Sequence, residues 1–173
     1  DQYYGDKLVL GLNDESRESR LAAIQAVGMV KEQSAISRLS EIIKSSDFQD
    51  ERLAATMSLG FIGNSKSIPL LNSLLDDDEP NIRWDAAIGL AKMGEDSSIP
   101  TIQNLMDRNY LSTFPELDQN EVTKVILTAI ETTTIIVDQR FEPLLETLAS
   151  SDENLKVRNA AIKTLKFAYN KKT

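Results

Sequence analysis

NIRWDAAIGLAKMG, residues 81–94, has the residue spacing of a single helix with two unlike faces. One face is small and flat and carries Ala86, Ala87 and Gly89. The other face is apolar and carries Ile82, Leu90 and Met93. Apolar residues that recur at three to four positions predict a helix packed on one side. A face of alanine and glycine allows a neighbouring helix to approach closely, so this stretch predicts helix-on-helix packing.

Similar strings follow four arginines along the chain, which are Arg20, Arg52, Arg83 and Arg158. Each arginine precedes an alanine by three positions and an aliphatic residue by seven positions. Arg20 and Arg52 are 32 residues apart, and Arg52 and Arg83 are 31 residues apart. Repetition at this period is typical of stacked helical units. We therefore expect each unit to contain a first helix, a short turn and a second helix.

An aspartate column accompanies the arginines. Asp14, Asp77 and Asp152 lie six residues before Arg20, Arg83 and Arg158. Asp118 lies six residues before Lys124, which marks Lys124 as the degenerate anchor of a fourth unit. The second unit, anchored by Arg52, breaks the column, because it has Ser46 there and Asp47 next to it. Aspartates just before a helix and bases in its first turn predict structural hydrogen bonds and ion pairs between units.

The full pattern is an aspartate, an arginine six residues later, alanines, an aliphatic residue, a glycine and an Ile-Pro pair such as Ile68-Pro69 or Ile99-Pro100. This pattern resembles HEAT repeats, and most of all the short bacterial HEAT-like repeats of the phycobilisome-lyase type. The resemblance covers about residues 3–170. It implies an all-α fold, a right-handed α-solenoid in which helix pairs form a superhelix that usually binds another macromolecule.

The spacing predicts a single domain of about four helical pairs with a half-repeat at each end. The boundaries are about 2–12 for the first half-repeat, 14–45, 46–76, 77–108 and 118–150 for the repeats, and 152–170 for the last half-repeat. Residues 108–117 form an insertion. Residues 132–137, TTTIIV, are expected to end a helix and turn, because a lone strand has no edge to pair with. The two half-repeats predict that the chain is a segment of a longer array.

Composition narrows the possible functions. The 173 residues carry a net charge of −8 and contain neither histidine nor cysteine. This charge argues against a nucleic-acid partner, including the damaged DNA that some HEAT-like proteins repair. Without histidine or cysteine the commonest general base, thiolate nucleophiles and thiolate metal sites are absent. The sequence predicts no catalytic, cofactor-binding or metal-binding residue, no membrane insertion, and a soluble protein. It leaves the compartment unknown, either the cytoplasm or an exported location after leader removal.

The acidic run at residues 76–79 contains carboxylates of the kind that bind metal ions. Three consecutive aspartates point in different directions, and no loop with the spacing of a calcium site follows. We therefore interpret the run as a helix-capping turn that includes the column residue Asp77.

Two places stand out as candidate contacts for a partner. Trp84, the only tryptophan, is expected to be partly exposed near the convex rim, either as an anchor for a partner or packed on the next unit. The insertion contains Tyr110, Leu111 and Phe114, more apolar residues than a loop requires. These residues contact a partner or cover the junction of the third and fourth repeats.

The outward positions of the second helices form a third candidate, because in this family they line the concave surface. They include Arg38, Glu41, Asn72, Gln103 and Asn104. Such polar residues are typical of a hydrated groove that binds protein or peptide, and equally of an ordinary solvated surface. Basic residues also concentrate near the end of the chain, at Lys156, Arg158, Lys163, Lys166, Lys171 and Lys172.

These observations predict a non-catalytic scaffold, not an enzyme, that binds a protein or peptide on its concave face or insertion and needs no cofactor. Two alternatives remain. The resemblance implies a lyase-like or lyase-chaperone role on a tetrapyrrole-bearing protein. The half-repeats and the opposite charges of body and end would also allow chains to associate end to end.

Overall fold

The computed structural model describes residues 2–171, so Lys172 lies outside the described part. This part contains eleven α-helices and no β-strand. In chain order they are α1 (Gln2–Gly11), α2 (Arg17–Met29), α3 (Ile36–Ser45), α4 (Gln49–Ile62), α5 (Ile68–Ser73), α6 (Pro80–Lys92), α7 (Ile99–Leu105), α8 (Arg108–Leu111), α9 (Gln119–Thr132), α10 (Glu142–Ser151) and α11 (Leu155–Phe167). The all-α prediction is confirmed.

Each second helix begins through a short 3-10 turn. These turns are Gln33–Ala35, Ser65–Ser67, Asp96–Ser98 and Gln139–Phe141. In three of the four hairpins a proline lies in the first turn of the second helix, where a missing N–H costs little, at Pro69, Pro100 and Pro143. The order of first helix, turn and second helix is therefore encoded locally.

The helix ends follow from capping chemistry. Gly63 ends α4 with a φ of 66°, a left-handed conformation that only glycine adopts at little cost. Asp118 begins α9 with a capping box, since it accepts from the N–H groups of Asn120 and Glu121 while the Glu121 side chain accepts from the Asp118 N–H. At the other end of α9 the residues after Thr132 form a turn, as the sequence predicts, rather than a strand.

The helices group into two compact units, Asp1–Met93 and Gly94–Thr173. The boundary passes between α6 and α7, which are the two helices of the third repeat. In the first unit the first helices α2, α4 and α6 pack side by side, α3 packs on α4, and α1 packs on α2. Their shared core includes Ile24, Leu39, Leu59, Leu71 and Leu90.

Small residues allow the first helices to approach closely. A Cβ atom built on Gly60 of α4 would lie 2.9 Å from the Cα atom of Gly89 in α6. A Cβ atom on Gly28 of α2 would lie 2.7 Å from the Cβ atom of Ser58 in α4. The Ser58 hydroxyl donates to the Ile24 carbonyl at 2.8 Å and so satisfies a buried polar group at this contact. The small face predicted for residues 81–94 is thus used for helix contact.

In the second unit α9 and α11 are the first helices and α7 and α10 are the second helices. α9 packs on α7 and α11, and α10 packs on α11. Tyr169 follows α11, and its hydroxyl lies 3.2 Å from the Thr133 carbonyl and 3.3 Å from the Asp138 backbone nitrogen. Burial raises the pKa of the Tyr169 hydroxyl, and the protonated hydroxyl donates to the Thr133 carbonyl. No helix within the described range is long and apolar enough to cross a membrane.

Candidate partner-binding site

The arginine of each complete motif binds the loop of its own repeat. Arg20 Nη1 donates to the Asp14 and Glu15 carbonyls, both at 3.0 Å. Arg83 Nη1 donates to the Asp77 carbonyl at 2.6 Å, and Arg158 donates in the same way to the Asp152 carbonyl. The six-residue spacing in the sequence therefore corresponds to a hydrogen bond between a first-turn arginine and the backbone of the preceding turn.

The aspartate carboxylate faces the preceding repeat. Arg52 Nη2 donates to Asp77 Oδ2 at 2.5 Å, and Arg52 Nε donates to the Ile43 carbonyl at 3.0 Å. The side chains of Arg52 and Asp77 are 28% and 13% exposed, so this ion pair is partly shielded from water. Arg52, in the second repeat, therefore contacts both the end of the preceding repeat, at Ile43, and the start of the following one, at Asp77.

The second repeat has no column aspartate, and Glu51 supplies the carboxylate instead. Arg20 Nε donates to Glu51 Oε1 at 2.9 Å, and Ser46 Oγ donates to Glu51 Oε2 at 2.7 Å. Sequence reasoning missed this substitution, although a signal was present. Of the four arginine anchors, only Arg52 directly follows an acidic residue.

A similar substitution occurs in the second unit. Arg108 Nε and Nη2 donate to the two carboxylate oxygens of Asp152 at 2.7 and 2.9 Å. Lys124, the predicted anchor of the fourth repeat, is exposed. Burial raises the pKa of Asp152, but hydrogen bonds from Arg108 and the Asn154 N–H outweigh it and hold the pKa below its ordinary value. We call Arg20–Glu51, Arg52–Asp77 and Arg108–Asp152 the inter-repeat arginine pairs.

The insertion folds instead of remaining an open loop. Its first residues form α8, which Asp107 caps by accepting from the Asn109 N–H. Leu111 is fully buried, and the half-buried rings of Tyr110 and Phe114 pack edge to face with centroids 5.2 Å apart. Leu111 is therefore part of the core and cannot contact a partner in this conformation, whereas Tyr110 and Phe114 retain a partly open surface.

A cleft of about 320 Å³ lies between the insertion and the second helix α10. Apolar and polar side chains share its lining, which includes Met106, Arg108, Asn109, Leu144, Thr147 and Asp152. The cleft thus combines two surfaces that were separate candidates in the sequence, the insertion and the outward side of a second helix. Pockets that combine apolar walls with a few fixed polar groups are typical binding sites.

The outward residues of the second helices have different neighbours. Arg38 forms an ion pair with Glu41 at 2.9 Å, and Gln103 Nε2 donates to the Arg140 carbonyl at 3.0 Å. Asn104 is exposed and Asn72 is partly exposed. Arg38 and Glu41 are therefore paired with each other. Gln103 connects α7 to the turn before α10 by a hydrogen bond.

Trp84 corrects one expectation. Its side chain is only 6% exposed, so the predicted partial exposure is wrong. The reason is that α6 is enclosed around most of its circumference, with Ile82, Ala86, Ala87, Gly89, Leu90 and Ala91 also buried. A hydrophobic pattern confined to one face predicts a surface helix, and that rule misses a helix covered on several sides.

The acidic residues do not form a metal site in the described range. No group of three or more histidine, cysteine, aspartate or glutamate side chains converges there. Asp77, in the acidic run, accepts from Arg52 and from the Glu79 N–H instead.

Comparison with known proteins agrees with this repeat geometry. The family model for HEAT repeats matches residues 5–71 and 37–114. The chain belongs to the HEAT-repeat family. A search of curated proteins finds no match.

One solved structure similar to this HEAT-repeat chain is the complex of CpcE and CpcF of phycocyanin lyase from Nostoc sp. PCC7120. The TM-score is 0.73 and the sequence identity is 19%, over 96% of this chain and 65% of that chain. The chain thus spans about 65% of the length of that chain. At this level of identity the similarity shows a common fold.

The comparison overturns the prediction that the chain is not an enzyme. A chain that shares its fold over nearly the full length is part of a phycocyanin lyase complex. The absence of histidine and cysteine was therefore not a sufficient reason to exclude enzyme activity.

Proposed function

We propose that the chain is a protein-binding HEAT-repeat scaffold with a lyase-like or lyase-chaperone role on a tetrapyrrole-bearing protein. The observation that carries this proposal is the similarity to the phycocyanin lyase complex, which extends over 96% of the chain rather than over isolated repeats. The similar structure is itself a complex of two proteins, which supports a protein as the partner.

The cleft beside the insertion is the proposed contact site. Arg108 lies at its edge, fixed by Asp152 at 2.7 Å and by Glu153 at 3.0 Å. A guanidinium held by two carboxylates has little freedom left to lose on binding, and rigid groups bind at a lower entropic cost. The exposed side of α10 supplies Thr147 next to this edge. The proposed scaffold thus presents a preorganised polar rim around an apolar floor.

The proposal is tested by mixing the purified chain with phycocyanin, and separately with pigment-free phycocyanin and free tetrapyrrole. Size-exclusion chromatography follows co-elution, and visible absorbance follows the environment of the pigment. We expect a complex to elute and the absorbance to change when the chain is added. If neither changes in either mixture, the lyase-like and chaperone roles are both rejected.

A matched pair of variants locates the contact. Thr147→Arg places a large charged side chain in the cleft from an exposed position. Thr128→Arg makes the same change on the exposed surface of α9, outside the cleft. We expect only Thr147→Arg to weaken complex formation, by tenfold or more. Equal binding by the two variants would exclude the cleft, and a combined Tyr110→Ser and Phe114→Ser variant then tests the rest of the insertion.

A further inference from the structure

A groove lies in the second unit, away from the residues that the sequence marks as candidate partner contacts. The first helices α9 and α11 border a groove of about 510 Å³. Leu127 and Ile130 of α9 and Ala160 of α11 line it, together with Val137 and Phe167. Phe167 is 69% exposed and Val137 is 54% exposed. A groove in which a phenylalanine and a valine are this exposed to water is more typical of a protein contact surface than of a solvated surface without a partner.

One side of α11 combines apolar and basic residues, and three members of that side, Ala160, Lys163 and Phe167, line the groove. Lys156, Ala160, Lys163 and Phe167 follow one another at helical spacing and so share one side of the helix. Both lysines are exposed, and in the described part of the chain neither forms an ion pair. α11 contains no acidic residue. These charges are therefore available to a partner, in a chain whose net charge is −8.

The opposite side of the groove differs in charge. Glu131 of α9 lines the groove, and residues 2–171 contain no ion pair between it and Lys163. Lys163 of α11 and Glu131 of α9 therefore give the two sides of the groove opposite charges, and Lys156 adds a positive charge on the same side of α11, outside the lining. This difference would orient a partner, with its carboxylates next to α11 and its apolar side on Phe167, Val137 and Leu127.

We infer that this groove binds an acidic amphipathic helix of a partner protein. The eleven residue steps from Lys156 to Phe167 span about 16 Å, close to three helical turns. Helices that lie in grooves use apolar anchors at three- to four-residue spacing, and charges on the flanks select the partner. The apolar floor and the two lysines together match a helix with leucines on one side and glutamates beside them. The inference rests on the proposed function only for the existence of a protein partner.

The probe for the test is a fluorescein-labelled helical peptide of about 15 residues with leucines on one face and glutamates along the single flank that would lie next to α11. A second peptide replaces every glutamate by lysine. Fluorescence anisotropy measures binding to the full chain and to Lys163→Glu and Phe167→Ser. The control variants make the same changes elsewhere, Lys44→Glu on α3 and Met29→Ser, since Met29 is 79% exposed. Thermal unfolding followed by circular dichroism checks that all variants fold.

We expect the wild-type chain to bind the acidic peptide and not the basic one. Lys163→Glu and Phe167→Ser should each weaken that binding at least tenfold, while Lys44→Glu and Met29→Ser leave it within twofold. Failure of the acidic peptide to bind, equal binding of the basic peptide, or equal losses in the control variants would overturn the inference.

The same variants distinguish the proposed helix from two other possible ligands of the groove, a second copy of the chain and a free tetrapyrrole. Light scattering that shows a wild-type dimer and a Phe167→Ser monomer would assign the groove to a second copy of the chain and overturn the inference. A free tetrapyrrole whose absorbance shift disappears in Phe167→Ser would likewise assign the groove to pigment. The peptide experiment contains no phycocyanin, so its failure leaves the proposed function intact. Normal peptide binding without phycocyanin binding counts against the proposed function alone.

Discussion

Arg20 and Glu51 form an ion pair between the first and second repeats, with the Arg20 Nη2 and Glu51 Oε1 atoms 2.7 Å apart. The pair corresponds to Arg52 and Asp77 between the second and third repeats, but its acid comes from the helix rather than from the preceding turn. Ser46, which stands at the usual aspartate position, donates to Glu51 and holds it there. The same inter-repeat contact is thus made from a different position in the sequence.

Glu51→Gln should destabilise the first unit. The Glu51 side chain is 5% exposed and that of Arg20 is 19% exposed, so the change leaves a largely buried guanidinium without its counter-charge. Removing one member of a buried pair costs about 3 kcal/mol of unfolding free energy. Urea denaturation measures the loss. Asp50→Asn is the control, because Asp50 pairs with Arg17 at an exposed site and its loss should leave the unfolding free energy nearly unchanged.

A second substitution, Ser46→Asp, should restore part of the unfolding free energy that Glu51→Gln removes. Ser46→Asp in the Glu51→Gln background places a carboxylate at the column position used by Asp77 and Asp152. We expect it to recover at least half of the lost unfolding free energy. In a chain that retains Glu51, the same Ser46→Asp change should be neutral or destabilising, because two carboxylates would then share one guanidinium. Stabilisation in both backgrounds would contradict this account of the substitution.

Gly60→Ala should also destabilise the chain, although alanine is normally the better helix residue. The added methyl group would lie 2.9 Å from the Gly89 Cα atom, which is backbone and cannot rotate away. Overpacking of this kind costs about 1–3 kcal/mol, whereas glycine to alanine in an open helix gains up to about 1 kcal/mol. The sign of the change in thermal unfolding therefore decides between a close contact of α4 with α6 and a looser one.

Asp85→Asn should stabilise the chain at neutral pH. Burial raises the pKa of Asp85 from 3.8 to about 6, with partial opposition from the charge of Lys92. A raised pKa means that the folded chain favours the protonated acid, so stability is highest below pH 4 and falls as the pH rises towards the folded pKa. The neutral amide avoids this loss. Thermal unfolding should show a gain on the order of 2 kcal/mol at pH 7.5 and little difference at pH 4.

Arg108→Ala should destabilise the second unit by about 3 kcal/mol, because it leaves the buried Asp152 carboxylate without its main donor. Lys124→Ala, at the anchor position that the sequence predicts, should have almost no effect. The pKa of Asp152 lies below its ordinary value, so this contribution is present at neutral pH and is lost as the pH falls through the folded pKa. The difference between wild type and Arg108→Ala in thermal unfolding should therefore shrink below about pH 4.

The fold was predictable because its signals are local. The alanine and aliphatic spacing after each arginine defined the first helices, and α4 ends at Ile62, before the glycine that the sequence marks as its end. The Ile-Pro pairs at residues 68–69 and 99–100 indicated where the second helices α5 and α7 begin. These features depend on residues within one turn or one hairpin of each other.

The remaining details depend on contacts between distant residues. Arg108, instead of Lys124, pairs with Asp152, which lies 44 residues further along the chain. No local pattern indicates that an arginine in an insertion forms this pair. The groove between α9 and α11 arises from the positions of two helices, and its lining residues have no shared motif. Burial of Trp84 likewise follows from the enclosure of α6, which a single-face pattern does not describe.

Arg20 and Arg52 each pair with an acid of the following repeat, so the first and second repeats make equivalent contacts with their next neighbours. If residues 46–76 were excised in frame, Arg20 would face Asp77, the partner that Arg52 has now. Gly28 would then face Gly89, which is smaller than its present neighbour Ser58. The shortened array would keep both the electrostatic and the steric match at the splice. Such a protein can lose or duplicate a whole repeat without redesign of the neighbours on either side.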